Sequence, residues 1–298
     1  MSKYIISPSP HLHSGTTTRQ IMLDVVLALL PALGASLWLF GMRAALVVGV
    51  CVVTCVATEI GSNLLMGRRS VQGGVFAIGV VKMLFGGIGC NFVNPALMGR
   101  VILTVSFPEA MSRWGVPLPL ANTVDAVSAA TPLQQLATDG TTGVNLTDML
   151  MGLRAGSLGE TCVLALIIGG LYLVMRRVIS PLIPLTFAGT VFVFGWAISG
   201  SAEVGLWHVL SGGVVLGAVF MATDYTTTPL TKSGKFLFAV GCGVITMTIR
   251  LWGALPEGVS FGILLMNVAS PLIERLTRAR IFGAAEAALK ARKGAAKL

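Results

Sequence analysis

A hydroxyl set among small neighbours is the first feature that could support chemistry. The stretch Asp125-Ala126-Val127-Ser128-Ala129-Ala130-Thr131-Pro132 surrounds Thr131 with alanines and puts a carboxylate six positions upstream. Such a hydroxyl stays accessible to a modifying enzyme, although the same string also suits an ordinary Ser/Thr-rich turn. A second set consists of charges in apolar surroundings: Glu59, Lys82, Arg100 and Arg250. Charge at membrane depth is expensive and is retained where it pairs or functions. Glu59 is expected to pair with Lys82 or Arg100, either as a structural ion pair or with one cation beside a bound group. Asp24 and Asp224 lie near the ends of apolar runs, where a carboxylate reaches the headgroups; Glu59 and Asp224 are the ion-pathway candidates. A third feature is Gly86-Gly87-Ile88-Gly89-Cys90-Asn91-Phe92-Val93-Asn94-Pro95, which breaks a helix. It is either a tight interhelical turn or a broken helix whose freed backbone groups face a ligand or an ion. No catalytic residue is assigned, because no nucleophile–base pair stands out. The five cysteines contain no C-x-x-C, the three histidines share no spacing, and no metal site is expected.

The elements that must hold these residues follow from composition. Of 298 residues, 54% are hydrophobic and 11% charged, with mean hydropathy +0.84. Soluble domains carry about 25% charged residues, so a water-soluble globule, a disordered chain and a nucleic-acid binder are excluded. The net charge of +9 is partly a tail effect, since seven of the 21 cations lie between Arg275 and Lys297. The sequence predicts an all-α integral membrane protein with nine apolar runs, near 20–41, 44–66, 73–90, 94–108, 158–178, 181–200, 204–222, 236–253 and 257–275.

Nine runs conflict with the positive-inside rule. Placing Arg68/Arg69 in the cytoplasm puts Arg176/Arg177, Lys232/Lys235 and the tail outside. One further span between Gln72 and Gly73 brings every basic cluster inside and the loop at 109–157 outside. A weak internal repeat agrees: Asn94-Pro95-Ala96-Leu97 echoes Ser270-Pro271-Leu272-Ile273, and the first half lacks a counterpart of the run at 204–222. The expected architecture is two inverted five-helix repeats, ten native spans with nine represented here. Its parts are a cytoplasmic segment 1–19, a first repeat 20–108, an extracytoplasmic loop 109–157, a second repeat 158–275 and a basic cytoplasmic tail 276–298. Architecture alone also permits an inverted-repeat channel or secondary transporter without a redox role.

Several stretches together make the chain resemble the D subunits of the Rnf complex, the ion-pumping ferredoxin:NAD+ oxidoreductase, and the related B subunits of the sodium-pumping NADH:quinone reductase. The family's D-x-x-S-(G/A)-A-T motif is matched by Asp125, Ser128, Ala130 and Thr131; its G-G-x-G-x-N-x-x-N-P-A stretch by Gly86 to Ala96, including Asn91 and Asn94; and a further block by Met221-Ala222-Thr223-Asp224-Tyr225. The resemblance covers essentially the whole chain, apart from the third span. It implies that Thr131 carries FMN through a phosphoester made by a flavin transferase, with Asp125, Ser128 and Ala130 forming the recognition motif. Lys82, Arg100, Asn91 and Asn94 are then candidates for contact with flavin, and riboflavin is a second, non-covalent flavin the family allows. The implied role is a multi-pass component of the bacterial inner membrane with both termini cytoplasmic. It would pass electrons between ferredoxin and NAD+ while Na+ or H+ is moved. Implied partners are the other subunits, including a second one with covalent FMN and iron–sulfur subunits, together with membrane lipid and no nucleic acid.

Overall fold

The computed structural model describes residues 17–65, 91–112, 114, 117, 130–253 and 257–277. The expectations placed on Lys82, Asp125, Ser128, the segment around 72–73 and the basic tail lie outside these residues. So does the side chain of Glu59, whose backbone lies in the second helix. The described residues are helical, with no strand among them.

Helix α1 (Thr18–Phe40) opens on a capping box: Thr17 Oγ1 accepts from Gln20 N and Gln20 Oε1 accepts from Thr17 N at 2.9 Å. It stops at Gly41, whose φ of +62° suits a residue without Cβ. Then come α2 (Met42–Leu65), α3 (Pro95–Ser106) and the single turn α4 (Pro108–Met111). The connection that follows carries α5 (Pro132–Asp139) and α6 (Leu146–Met151). The C-terminal part holds α7 (Val163–Met175), α8 (Leu182–Ser199), α9 (Ala202–Leu210), α10 (Val214–Met221, whose last turn is a π-helix), α11 (Lys232–Trp252) and α12 (Val259–Leu276).

Among the described residues, four helices are long and apolar enough to cross a membrane: α1, α8, α11 and α12. A fifth crossing arises if α9 and α10 are taken together, and there the expected single run at 204–222 is corrected to two helices bent by 65°. The run at 94–108 shrinks to the 12-residue α3, roughly 18 Å long at 1.5 Å per residue, against about 30 Å of hydrocarbon. Asn94 sets that start. Its Oδ1 accepts from Ala96 N at 3.0 Å, and Pro95 needs no donor at the first helical position.

The core lies where α3, α8, α10, α11 and α12 meet, around Leu97, Phe187, Val191, Phe238, Met247 and Ile263. Outward faces stay apolar: Trp38, Met175, Leu185 and Leu272 are all at least 60% exposed, the surface expected against lipid rather than water. The N-terminal helices dock onto the C-terminal ones. Helix α1 packs along α7, where a Cβ on Gly169 would lie 2.0 Å from the Ala28 carbonyl oxygen, and α3 packs on α12.

Candidate functional site

Thr131 caps α5. Its backbone is extended, Pro132 occupies the first helical position, and Thr131 Oγ1 accepts from Gln134 N at 3.2 Å. The hydroxyl oxygen accepts in this bond, and among the described residues no bond donated by it is present. Leu133 and Leu136 are buried and anchor the short helix, whereas Thr131 is half-buried and Ala130 exposed. The hydroxyl thus sits at the positive end of a fixed helix, within reach of solvent. Thr131 lines a cavity of about 20 Å³ shared with Arg154, Ser157, Glu160, Thr161 and Glu257.

The walls of this cavity belong to a buried charge cluster. Arg100, from α3, gives one guanidinium nitrogen to Glu160 and the other to Glu257 Oε2, the latter at 2.6 Å. Arg154 Nη2 donates to the Glu160 carbonyl at 3.0 Å. Arg250, from α11, donates to the His208 and Ser211 carbonyls. The break between α9 and α10 makes room for these groups. Gly212 has φ +64°, and a Cβ there would lie 3.0 Å from Arg250 Nη2; one on Gly213 would lie 3.0 Å from Glu160 Oε1.

Among the described residues the cluster therefore holds three guanidinium groups against two carboxylates. Burial pushes the Glu257 carboxyl up to about 7, helped by the charge of Glu160 and opposed by Arg100 and Arg250. Burial also pulls Arg154 down to about 10, opposed by Glu160, so it remains a cation at neutral pH. Of the described residues lining the cavity of Thr131, two carry a buried donor without a partner among the described residues: Nη1 of Arg154, 4% exposed, and Oγ1 of Thr161, 1% exposed.

A larger cavity of about 320 Å³ adjoins this one through Glu257, which lines both. Its walls include Arg100, Thr104, Trp114, Gln134 and Phe261. Gln134 lies one helical turn after Thr131, so the same helix reaches both spaces.

The other expected residues distribute differently. Arg100 joins the site of Thr131, with Glu160 and Glu257 as its partners among the described residues; the expected pairing of Glu59 with Lys82 or Arg100 rests on side chains outside them. Asn94 is occupied structurally: besides capping α3, its Nδ2 donates to the Met221 carbonyl at 3.2 Å, tying α3 to α10. The start of α3 thus has two of its free amides satisfied by this side chain. Asn91 Oδ1 is buried without a partner among the described residues. Asp224 lies apart from the cluster, in a turn where it accepts from Thr226 and Thr227 hydroxyls. Asp24 does not simply reach toward headgroups; it accepts from Tyr172 Oη at 2.9 Å and from Arg176 Nη2 at 3.3 Å.

Sequence reasoning missed Arg154, Glu160, Thr161 and Glu257 as site residues. A usable signal was present, since Glu160 opens an apolar run and Glu257 precedes another in a chain with only 12 acidic residues.

With this geometry in place, likeness to known proteins places the chain. The family described as NQR2, RnfD, RnfE matches residues 5–72 and 69–283, two segments that meet at 69–72. The D subunit of the Na+-translocating ferredoxin:NAD+ oxidoreductase complex of Acetobacterium woodii is 42% identical over 308 positions, covering 93% of this chain and 95% of that protein. The D subunit of the proton-translocating ferredoxin:NAD+ oxidoreductase complex of Clostridium ljungdahlii is 37% identical, covering 94% and 96%. The D subunit of the ion-translocating oxidoreductase complex of Stutzerimonas stutzeri is 36% identical, covering 89% and 92%. These similarities and the apolar helices make it a multi-pass membrane protein, and the chain belongs to the NQR2, RnfD, RnfE family.

Proposed function

We propose that the chain is the membrane component of a redox-driven ion pump, carrying FMN as a phosphoester on Thr131. Within the complex it passes electrons between ferredoxin and NAD+ while Na+ or H+ crosses the bacterial inner membrane. Relatives named for Na+ and for protons are both similar over nearly their whole length. The observation that carries the flavin reading is the setting of Thr131: a half-exposed hydroxyl capping a helix, on a cavity whose described charges leave at least one cation in excess.

The residues present fit the group. Thr131 supplies the ester oxygen, and the N-terminus of α5 together with the surplus guanidinium favours an attached anion. The adjoining 320 Å³ cavity, within the size range of ligand pockets, offers the aromatic walls of Trp114 and Phe261 and the amide of Gln134. Arg100 is held there by two carboxylates, so its charge is fixed in position and largely balanced. The flavin, when bound, supplies one- and two-electron carriage. The chain positions it, limits water and holds charge beside it.

Ten native spans in two inverted repeats remain the reading for the architecture, with the termini cytoplasmic and the 109–157 loop outside. The family match divides at residues 69–72, where the charge parity demands an extra span. The 308 positions aligned with the Acetobacterium woodii protein also exceed the 298 residues of this chain, although only 93% of it takes part.

The test is purification from membranes of a host that expresses the matching flavin transferase. A fluorescent band that survives SDS and an added FMN mass on the Thr131 peptide are expected, with both lost in Thr131→Ala. A bare wild-type chain from a host whose transferase modifies a control substrate would overturn the reading.

A further inference from the structure

We infer that Arg154 and Thr161 form a built anion site that holds the phosphate of a phosphoester on Thr131. The inference rests on the flavin reading above and identifies the chain's own residues that grip the attached group.

Three observations meet in one small space. Thr131, Arg154 and Thr161 line the same cavity. Arg154 Nη1 and Thr161 Oγ1 are both buried beyond nine-tenths, and both lack a partner among the described residues. Buried polar groups are nearly always satisfied, and a guanidinium all the more so. The third observation is the charge count. Arg100, Arg154 and Arg250 face Glu160 and Glu257, so even with both carboxylates ionised the described cluster is short by at least one negative charge. A phosphodiester carries one negative charge and two non-bridging acceptor oxygens, which matches one surplus cation and two orphaned donors. Arginine suits this use because its planar fork can donate through Nη1 while Nη2 keeps its bond to the Glu160 carbonyl.

The cavity is about 20 Å³, space on the scale of a single water rather than a ring system. It therefore admits a non-bridging oxygen of the phosphate and leaves the rest of the group to the half-exposed side of Thr131. A purely structural Arg154, pinning the 152–160 loop through Nη2 alone, would leave Nη1 and the charge surplus unexplained.

The test compares full-length protein, purified in one detergent, from hosts with and without the flavin transferase. The readout is the difference in Tm between the two preparations, with in-gel fluorescence reporting attachment. In the wild type, attachment is expected to raise Tm. In Arg154→Met and in Thr161→Val the band should stay fluorescent while the rise falls to less than half, and Arg154→Lys should keep an intermediate rise. Thr131→Ala should show no difference between hosts. A merely structural arginine predicts equal losses with and without flavin, so an undiminished rise in both Arg154→Met and Thr161→Val overturns the inference. If Arg154→Met fails to fold, Arg154→Lys and Thr161→Val decide it by the same comparison. A wild-type band without fluorescence overturns the flavin reading itself, and this inference with it.

Discussion

Glu257 is held between two opposing demands. Burial and the neighbouring Glu160 favour its neutral form, while Arg100 and Arg250 favour the carboxylate, and the balance puts its pKa at about 7. A carboxyl raised above its ordinary 4.5 contributes stability in full below that value and loses it as pH rises through about 7. Thermal stability should therefore fall between about pH 5 and pH 8, by at most about 3 kcal/mol. Glu257→Gln should flatten that slope while matching the wild type near pH 5; an unchanged slope would remove Glu257 as its source. At this scale the sequence singled out Thr131 as a candidate, because its motif is contiguous. It did not show the residues that share its cavity. Arg154 and Thr161 lie 23 and 30 positions further on in ordinary polar surroundings, and only folding brings them to one cavity. Arg100 was legible as a costly charge, but its partners were not, since Glu160 and Glu257 sit at the very starts of apolar runs and look solvated there.

The broken element at 202–221 shows how local chemistry sets a larger shape. Hydropathy saw one span, because Ser211-Gly212-Gly213 lowers the average too little to interrupt it. Physically those three residues end one helix and start another, and the left-handed Gly212 leaves space for Arg250. Gly200 provides a comparison: its φ is +71°, yet nothing lies within 4 Å of where its Cβ would be. Gly200→Ala should cost about 1–2 kcal/mol from backbone strain alone. Gly212→Ala should cost clearly more, because Arg250 must also shift. Equal Tm losses for the two variants would show that the guanidinium is not held by this turn. Helix existence was thus readable from apolar runs, whereas lengths and breaks were not: Asn94 capping α3 and the turn at Gly212 each depend on single polar or small residues.

On the scale of the whole molecule, the expected extra span between Gln72 and Gly73 rests on counting charges and lies outside the described residues; the family match divides near the same place. The packing between distant parts was not legible, since no periodicity links Ala28 to Gly169. Gly169→Val is expected to force α1 away from α7 and lower Tm by several degrees, with the Asp24–Tyr172 bond lost as well. Gly189→Val, on α8 where nothing lies within 4 Å of the added carbon, serves as the control and should leave Tm nearly unchanged. The same close seam bears on how movement is divided in the assembly. Backbone against backbone at Ala28, and α3 seated on α12, clasp the early and late helices to each other at two separate places. Rocking one bundle against the other, as alternating-access carriers do, would have to tear both clasps open in every cycle.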